Sequence, residues 1–366
     1  MSVCDSLLKH EQFSRLIWLD ALRVLACFGI IAIHIWAPVT YMLSCVPLFT
    51  WWAGNAVIVL IASWSIPMFV MISGALLLSS PNHEYVLRFF SRRTRLFWQT
   101  AFWTAFFVVL RLATESDYNA RQAVVDIKYG IPFYHMWFLN MILGLYVCTP
   151  ILCRFVRSVP PFWRITSMLL ILFLSMVWPL VQRYYFPAYQ QTLLTLFMPF
   201  IGYYLLGYEL MNIKVERNMA PRFAILFMST AVLLLFLSFL AARKTITILP
   251  VWWLQGAFSP MVLVMSVSLF QFFHAVGEEL ANNEQHSIAI KRFAIVVEKL
   301  TPLTLGIYII HPLFIRLLTH IGLIDVYEWG GAGLAVNMLI VFLWSAVTIW
   351  AISRIPYIRI LVSGGR

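Results

Sequence analysis

The chain has 366 residues, 62% of them hydrophobic and 11% charged, with a formal net charge of +11. Soluble domains run near 45–50% apolar and about 25% charged, and a water-soluble fold of this length cannot hide so much apolar surface. That class is excluded, and length here counts membrane spans rather than soluble domains.

Apolar runs of about 20 residues recur throughout, each long enough to cross about 30 Å of hydrocarbon as a helix. In chain order they fall near 17–36, 54–78, 96–112, 136–153, 165–181, 191–210, 223–241, 251–275, 300–320 and 332–353. The pattern predicts an all-α, polytopic membrane protein with about ten transmembrane helices in a single domain, 1–366. The first run carries Asp20 and Arg23 and lacks a small-residue cleavage site, so it reads as a span and not a cleaved signal peptide.

Orientation follows from the basic residues. With the N-terminus inside, 19 of the 26 Lys and Arg lie on the cytoplasmic side, six lie outside and Arg316 lies within a span. Both termini are then cytoplasmic. The positive charge is a topology signal and a clue to an anionic substrate, and it does not point to nucleic acid. The longest polar stretches, 79–95, 113–131 and 276–299, read as loops. The five cysteines show no paired spacing, and no metal motif, phosphate-cradling Gly loop or Gly-x-Ser-x-Gly elbow is present.

An ionisable side chain inside a span is costly and becomes a candidate for function. Asp20, Arg23 and His34 share the first span. Arg23 and His34 are three helical turns apart on one face, about 16 Å along the axis, and Asp20 is placed to pair with Arg23. The plain alternative is an anchoring pair below and a core imidazole above. His311 lies mid-span in Tyr308-Ile-Ile-His311-Pro312, where Pro312 removes a ladder N–H and frees a backbone carbonyl. His135 opens the fourth span at the outer side, beside aromatic residues that equally fit an interfacial belt. The three histidines suggest a polar pocket in the outer half, with His135, His311 and, lower on the first span, Asp20 as supporting residues. Four arginines, Arg88, Arg92, Arg93 and Arg95, occupy eight positions of the first inner loop. They fit either a lipid-headgroup anchor or a clamp for phosphate oxygens. A phosphate-rich ligand below and a histidine about 16 Å above match the extended reach of a coenzyme A arm.

These segments together resemble the acyltransferase 3 family of bacterial integral-membrane O-acyltransferases. The resemblance rests on Leu19-Asp20-Ala21-Leu22-Arg23 with His34 closing an Arg-x10-His spacing, on Phe69-Val-Met-Ile-Ser73-Gly74, and on the arginine segment. It continues through Trp137-Phe138-Leu139 on to Pro150 and ends with Tyr308-Ile-Ile-His311-Pro312. The stretch from Met136 to Tyr146 looks most like the branch with the enterobacterial common antigen O-acetyltransferase and the intercellular-adhesin polysaccharide enzymes.

The resemblance implies a single transmembrane acyltransferase domain in the bacterial inner membrane. It implies acetyl-CoA or another acyl-CoA as cytosolic donor, and a surface glycan or lipid-linked glycan as acceptor. His34 is then the catalytic histidine, as general base or acyl carrier, and Arg23, Arg92, Arg93 and Arg95 hold the donor. No Asp or Glu lies at the depth of His34 within the spans, which leaves the group that orients its imidazole unassigned, with Asp126 or another outer-loop acid as a candidate. Acceptor choice falls to the membrane part or to polysaccharide-assembly proteins. Two other readings share the ionisable residues and helix-breaking prolines: a flippase or transporter of a lipid-linked sugar or small solute, and a non-catalytic synthase subunit.

Overall fold

A computed structural model describes residues 3–40, 44, 46–79, 86–187, 191–244, 249–282, 288–324, 326–356 and 359–362. Side chains are described outside 3–16, 40, 86–93, 278–282, 289, 326–331 and 360. Every regular element among the described residues is helical, as lipid requires of a chain whose backbone groups must pair within their own segment. The helices are α1 (Val3–Thr40), α2 (Leu48–Val57), α3 (Ser65–Leu78), α4 (Val86–Thr114), α5 (Ala120–Tyr129), α6 (Met136–Ser158) and α7 (Pro161–Tyr185). After them come α8 (Ile201–Met211), α9 (Ala220–Ala242), α10 (Val251–Leu254), α11 (Pro260–Asn282), α12 (Ile288–Leu300), α13 (Thr304–His320), α14 (Val326–Ile352) and α15 (Arg359–Val362).

The described helices group into two compact units. One takes the chain up to Phe69 and from Leu210 to Ala351; the other takes Val70–Glu209 and Ile352–Val362.

The first unit is organised around α1. A π-helical stretch, Ile58–Ala62, separates α2 from α3. It packs on α1 at Gly29, where an added Cβ would collide with the Ile61 carbonyl and the Ser65 hydroxyl. Gly54 lies against Trp36 and Val39 of α1 in the opposite register, so α1 and α2 are antiparallel. Close approach through small residues is the usual packing device between helices in lipid. On another side of α1, Trp18 stacks on His274 of α11 at 5.1 Å and meets the edge of Phe270 at 5.2 Å.

Helix α13 runs parallel to α1. The Cys27 thiol donates to the Thr304 carbonyl at 3.4 Å, and seven residues further along each helix the rings of His34 and His311 stack. Six long apolar helical segments intervene among the described residues: Leu48–Leu78, Thr94–Thr114, Met136–Ser158, Pro161–Tyr185, Arg217–Ala242 and Pro260–Gly277. With the segments that hold α1, α13 and α14 this makes nine candidate spans among the described residues, and the span expected at 191–210 is not one of them.

That segment departs from the plain helix expected at 191–210. Its first part is a run of turns, followed by a 3-10 turn, Met198–Phe200, and then the eleven residues of α8. The Thr195 hydroxyl accepts from the Thr192 N–H and donates to the Thr192 carbonyl, a local competitor to the helix ladder. Pro199 offers no N–H, and its carbonyl accepts from the Ser175 hydroxyl at 2.9 Å. The segment nevertheless runs antiparallel along α7: Gly202 meets Leu172, and Glu209 pairs with Arg164 at the start of α7. The pair ties α8 to α7, and Arg164 also donates to the Val156 carbonyl at 2.9 Å. Elsewhere in that unit Gly74 and Gly207 let α3 and α8 touch backbone to backbone, each facing a carbonyl of the other helix. The close approach accounts for Gly74 in the Phe69–Gly74 motif.

Three expected loops are partly helical. Arg88, Arg92, Arg93 and Arg95 lie in the first turns of α4 and not in a loop, since no helix breaker intervenes between Val86 and Thr114. Within 113–131, the Asn119 side chain caps α5 by accepting from the Gln122 N–H, and Gly130 ends it at φ 73°. Exposed Val124, Val125 and Ile127 give α5 an apolar side, as in a helix lying at a membrane interface. The stretch 276–299 contributes the end of α11 and most of α12. The span expected at 251–275 begins only at Pro260, because Val251–Leu254 form a separate short helix that closes on Gly256.

Candidate active site

The first unit brings His34 and His311 into contact. Their ring centroids lie 5.2 Å apart and their planes 23° apart. His311 is fully buried, and His34 is partly exposed.

Pro312 explains how His311 is held. In an unbroken helix the N–H of residue 312 would bond the Tyr308 carbonyl; proline has none. Helix α13 continues through Pro312, and Nδ1 of His311 donates to that carbonyl at 2.6 Å. A carbonyl only accepts, so Nδ1 carries the proton and Nε2 of the neutral ring is left as the basic nitrogen. The proline has thus traded one ladder bond for a fixed histidine tautomer. The Tyr308 ring lies 5.8 Å from His311.

Three turns below His34 on α1, Arg23 donates to Asp20 at 3.0 Å. Asp20 is 7% exposed, while Arg23 keeps part of its surface open. The pairing expected from their spacing is present. Nearby on the same unit, Nδ1 of His274 pairs with Gln271 at 3.2 Å, and Gln271 donates to the Leu210 carbonyl at 3.4 Å. Sequence reading passed over this buried pair, although a His and a Gln three residues apart in an apolar run were a usable signal.

The remaining site residues belong to the second unit. His135 is 1% exposed and packed among Phe107 at 5.1 Å, Phe133 at 5.7 Å and Tyr134 at 5.6 Å. Burial among these rings pushes the Tyr134 phenol above its usual range. Arg95 donates to the Arg359 carbonyl at 3.0 Å. Arg359 is a basic neighbour that its distance in sequence concealed, and two guanidinium groups brought together favour an anion between them. The side chains of Arg92 and Arg93 lie outside the described residues.

Asp126, an outer-loop acid named as a candidate partner for His34, has partners within its own unit. Its Oδ2 accepts from Arg111 at 2.6 Å and its Oδ1 from Gln122 at 3.2 Å. Arg111 also donates to Glu115 at 2.9 Å and to the Pro132 carbonyl at 3.1 Å, and its guanidinium lies 3.8 Å over the Tyr118 ring. Asp126 thus serves a clasp that fastens α5 to the end of α4.

No curated protein and no solved structure matches the chain. A model of the acyltransferase domain, acyltransferase 3, matches residues 16–354. The match runs from the first span to the last and takes in His34, His311 and every charged residue discussed above except Arg359. The chain belongs to this acyltransferase family and is a multi-pass membrane protein.

Proposed function

We propose that the protein is a membrane O-acyltransferase of the bacterial inner membrane. It moves an acyl group, acetyl in the first instance, from cytosolic acyl-CoA to a hydroxyl of a surface polysaccharide or its lipid-linked precursor. The observation that carries this reading is the stacked His34–His311 pair, three turns above Arg23 on α1. The likeness of residues 136–146 to the common-antigen and adhesin branch supports a glycan acceptor.

In the proposed step His34 takes the proton of the acceptor hydroxyl as its oxygen attacks the thioester carbonyl. The new C–O bond forms, the C–S bond breaks, and the proton passes to the departing thiolate. Imidazole suits the task because it exchanges a proton near neutral pH. Arg92, Arg93 and Arg95 are the proposed partners of the donor's phosphates.

The test is transfer of labelled acetyl from acetyl-CoA to surface glycan in membranes. His34→Gln keeps hydrogen bonding but cannot titrate, and should lower transfer about 10²–10⁴-fold at normal protein abundance. An Arg92→Ala/Arg93→Ala double variant should instead weaken acyl-CoA binding, each lost contact being worth roughly 1.5–3 kcal/mol. Full transfer by well-expressed His34→Gln removes the histidine mechanism. Wild-type protein that moves no acyl group but changes the sidedness of a lipid-linked sugar is a transporter.

A further inference from the structure

A second polar cluster in the first unit lies outside the histidine pair, built from α2, the end of α9 and the link from α10 to α11. Nδ2 of Asn55 donates to the Trp51 carbonyl at 2.9 Å, which leaves Oδ1 of Asn55 as acceptor. Nε2 of Gln255 donates to that Oδ1 at 2.8 Å and to the Ser238 hydroxyl at 3.1 Å. Asn55 and Ser238 are fully buried. Both amide protons of Gln255 are therefore committed, and the network fixes which way its amide is turned. Its carbonyl oxygen faces away from both partners, on a side chain that is only partly buried.

Two more polar atoms here carry no hydrogen bond. One is the indole N–H of Trp36, 1% exposed, whose ring is packed on Gly54 beside Asn55; the other is the hydroxyl of Ser259, four residues beyond Gln255 and fully buried. Buried polar atoms are nearly always satisfied, and an orphan asks for a missing partner. Aromatic rings adjoin the cluster. Trp52 stacks on Phe239 at 4.9 Å, and Trp51 meets Trp52 at 5.2 Å and Phe239 at 5.6 Å. Trp36 is two residues past His34, about 3 Å further along α1, so the cluster lies within about one turn of that histidine's level.

The fixed Gln255 acceptor and the rings of Trp52 and Phe239 are only partly buried, while the Trp36 indole and the Ser259 hydroxyl lie beneath them as buried orphans. A sugar hydroxyl donates to the Gln255 carbonyl, and the apolar face of a pyranose ring covers the open part of the aromatics. A phosphate or carboxylate would meet an unfavourable amide oxygen here, and an alkyl chain would leave the polar atoms unsatisfied. We propose that the Gln255 cluster is the acceptor subsite and that it binds a pyranose unit of the glycan through the Gln255 carbonyl. The proposal rests on acyl transfer to a glycan as the function and names the residues that recognise that acceptor.

The experiment uses full-length protein in lipid nanodiscs and chemically deacylated surface glycan extracted from the native host. The KM for glycan, the KM for acetyl-CoA and equilibrium glycan binding are each measured. Gln255→Met keeps the side chain's length and removes the amide. It should raise the glycan KM and Kd about tenfold, with the acetyl-CoA KM within twofold. Ser238→Ala, which unfixes the amide while sparing the fold, should give about threefold. Unchanged glycan binding in folded Gln255→Met overturns the subsite, and so does unchanged binding in Ser238→Ala if Gln255→Met fails to fold. That result means the cluster holds only ordered water. Wild-type protein that binds glycan through Gln255 but transfers nothing overturns the acyltransfer reading and keeps the subsite. Wild-type protein that neither binds nor transfers overturns both.

Discussion

Replacing Pro312 with alanine should make the protein more stable and less active. The substitution restores an N–H directly below the Tyr308 carbonyl, which now accepts from Nδ1 of His311 at 2.6 Å. A proline in a helix interior costs up to about 3 kcal/mol relative to alanine, and α13 is helical on both sides of residue 312. Thermal unfolding in detergent should therefore shift upward. The same N–H competes for the carbonyl that fixes the His311 tautomer. A hydrogen bond of this kind contributes about 0.5–1.5 kcal/mol net. If that preference is lost from the reactive arrangement, kcat should fall about two- to tenfold, with the KM for acetyl-CoA unchanged because no donor contact is touched. Acetyl transfer in nanodiscs measures the rate and a melting curve on the same preparation measures the stability. A Pro312→Ala protein with full kcat would show that the freed carbonyl has no part in the reaction. One that melts lower than wild type would show that the helix is adapted to its proline by more than this single bond.

Two further outcomes follow from the charge pattern and from the clamp on α7. Cysteine introduced at Ser91 should resist an impermeant thiol reagent in intact cells, and cysteine at Ser116 should react, because the 19-to-6 split of basic residues puts Ser91 inside; the opposite labelling pattern reverses the orientation. Arg164→Ala leaves the Glu209 carboxylate, 13% exposed, without its two-point partner and should cost about 2–3 kcal/mol of stability. Adding Glu209→Ala should recover part of that loss, whereas strictly additive effects in the double variant would deny that the two side chains act as a pair.

Features that depend on one residue and its near neighbours were legible in the sequence. The apolar runs gave the helices, the three-residue spacing gave the Asp20–Arg23 pair, and Pro312 announced a freed carbonyl, although only the fold reveals that it accepts from His311. Features that depend on partners far along the chain were not. Nothing local ties Gln255 to Asn55, 200 residues away, or Arg95 to Arg359, 264 residues away. The segment 191–210 misled for another reason. Its hydropathy describes burial in an apolar surround, which turns satisfy as well as a helix does once neighbours such as Ser175 and Lys128 bond their backbone. Asp126 was legible as an acid but not as one already engaged, because Arg111 lies fifteen residues upstream on a different helix.

The Tyr308 carbonyl that holds His311 bears on how an imidazole can be oriented inside a membrane span. In the usual catalytic arrangement an acid orients the imidazole and offsets the charge it gains. A buried carboxylate in a membrane span has a large desolvation penalty of its own. A carbonyl freed by proline orients a ring at far smaller cost, as Tyr308 does for His311. The stacked second ring then limits the charge. Two imidazolium groups 5.2 Å apart would repel by about 3 kcal/mol at an effective dielectric near 20, so the stack disfavours charge on both rings together. A base that accepts one proton and resists a second is restored to its starting state as soon as that proton leaves with the thiolate. On the proposed mechanism this is the use of placing His311 against His34. His311→Ala should then cost less transfer than the roughly 10²–10⁴-fold loss expected of His34→Gln.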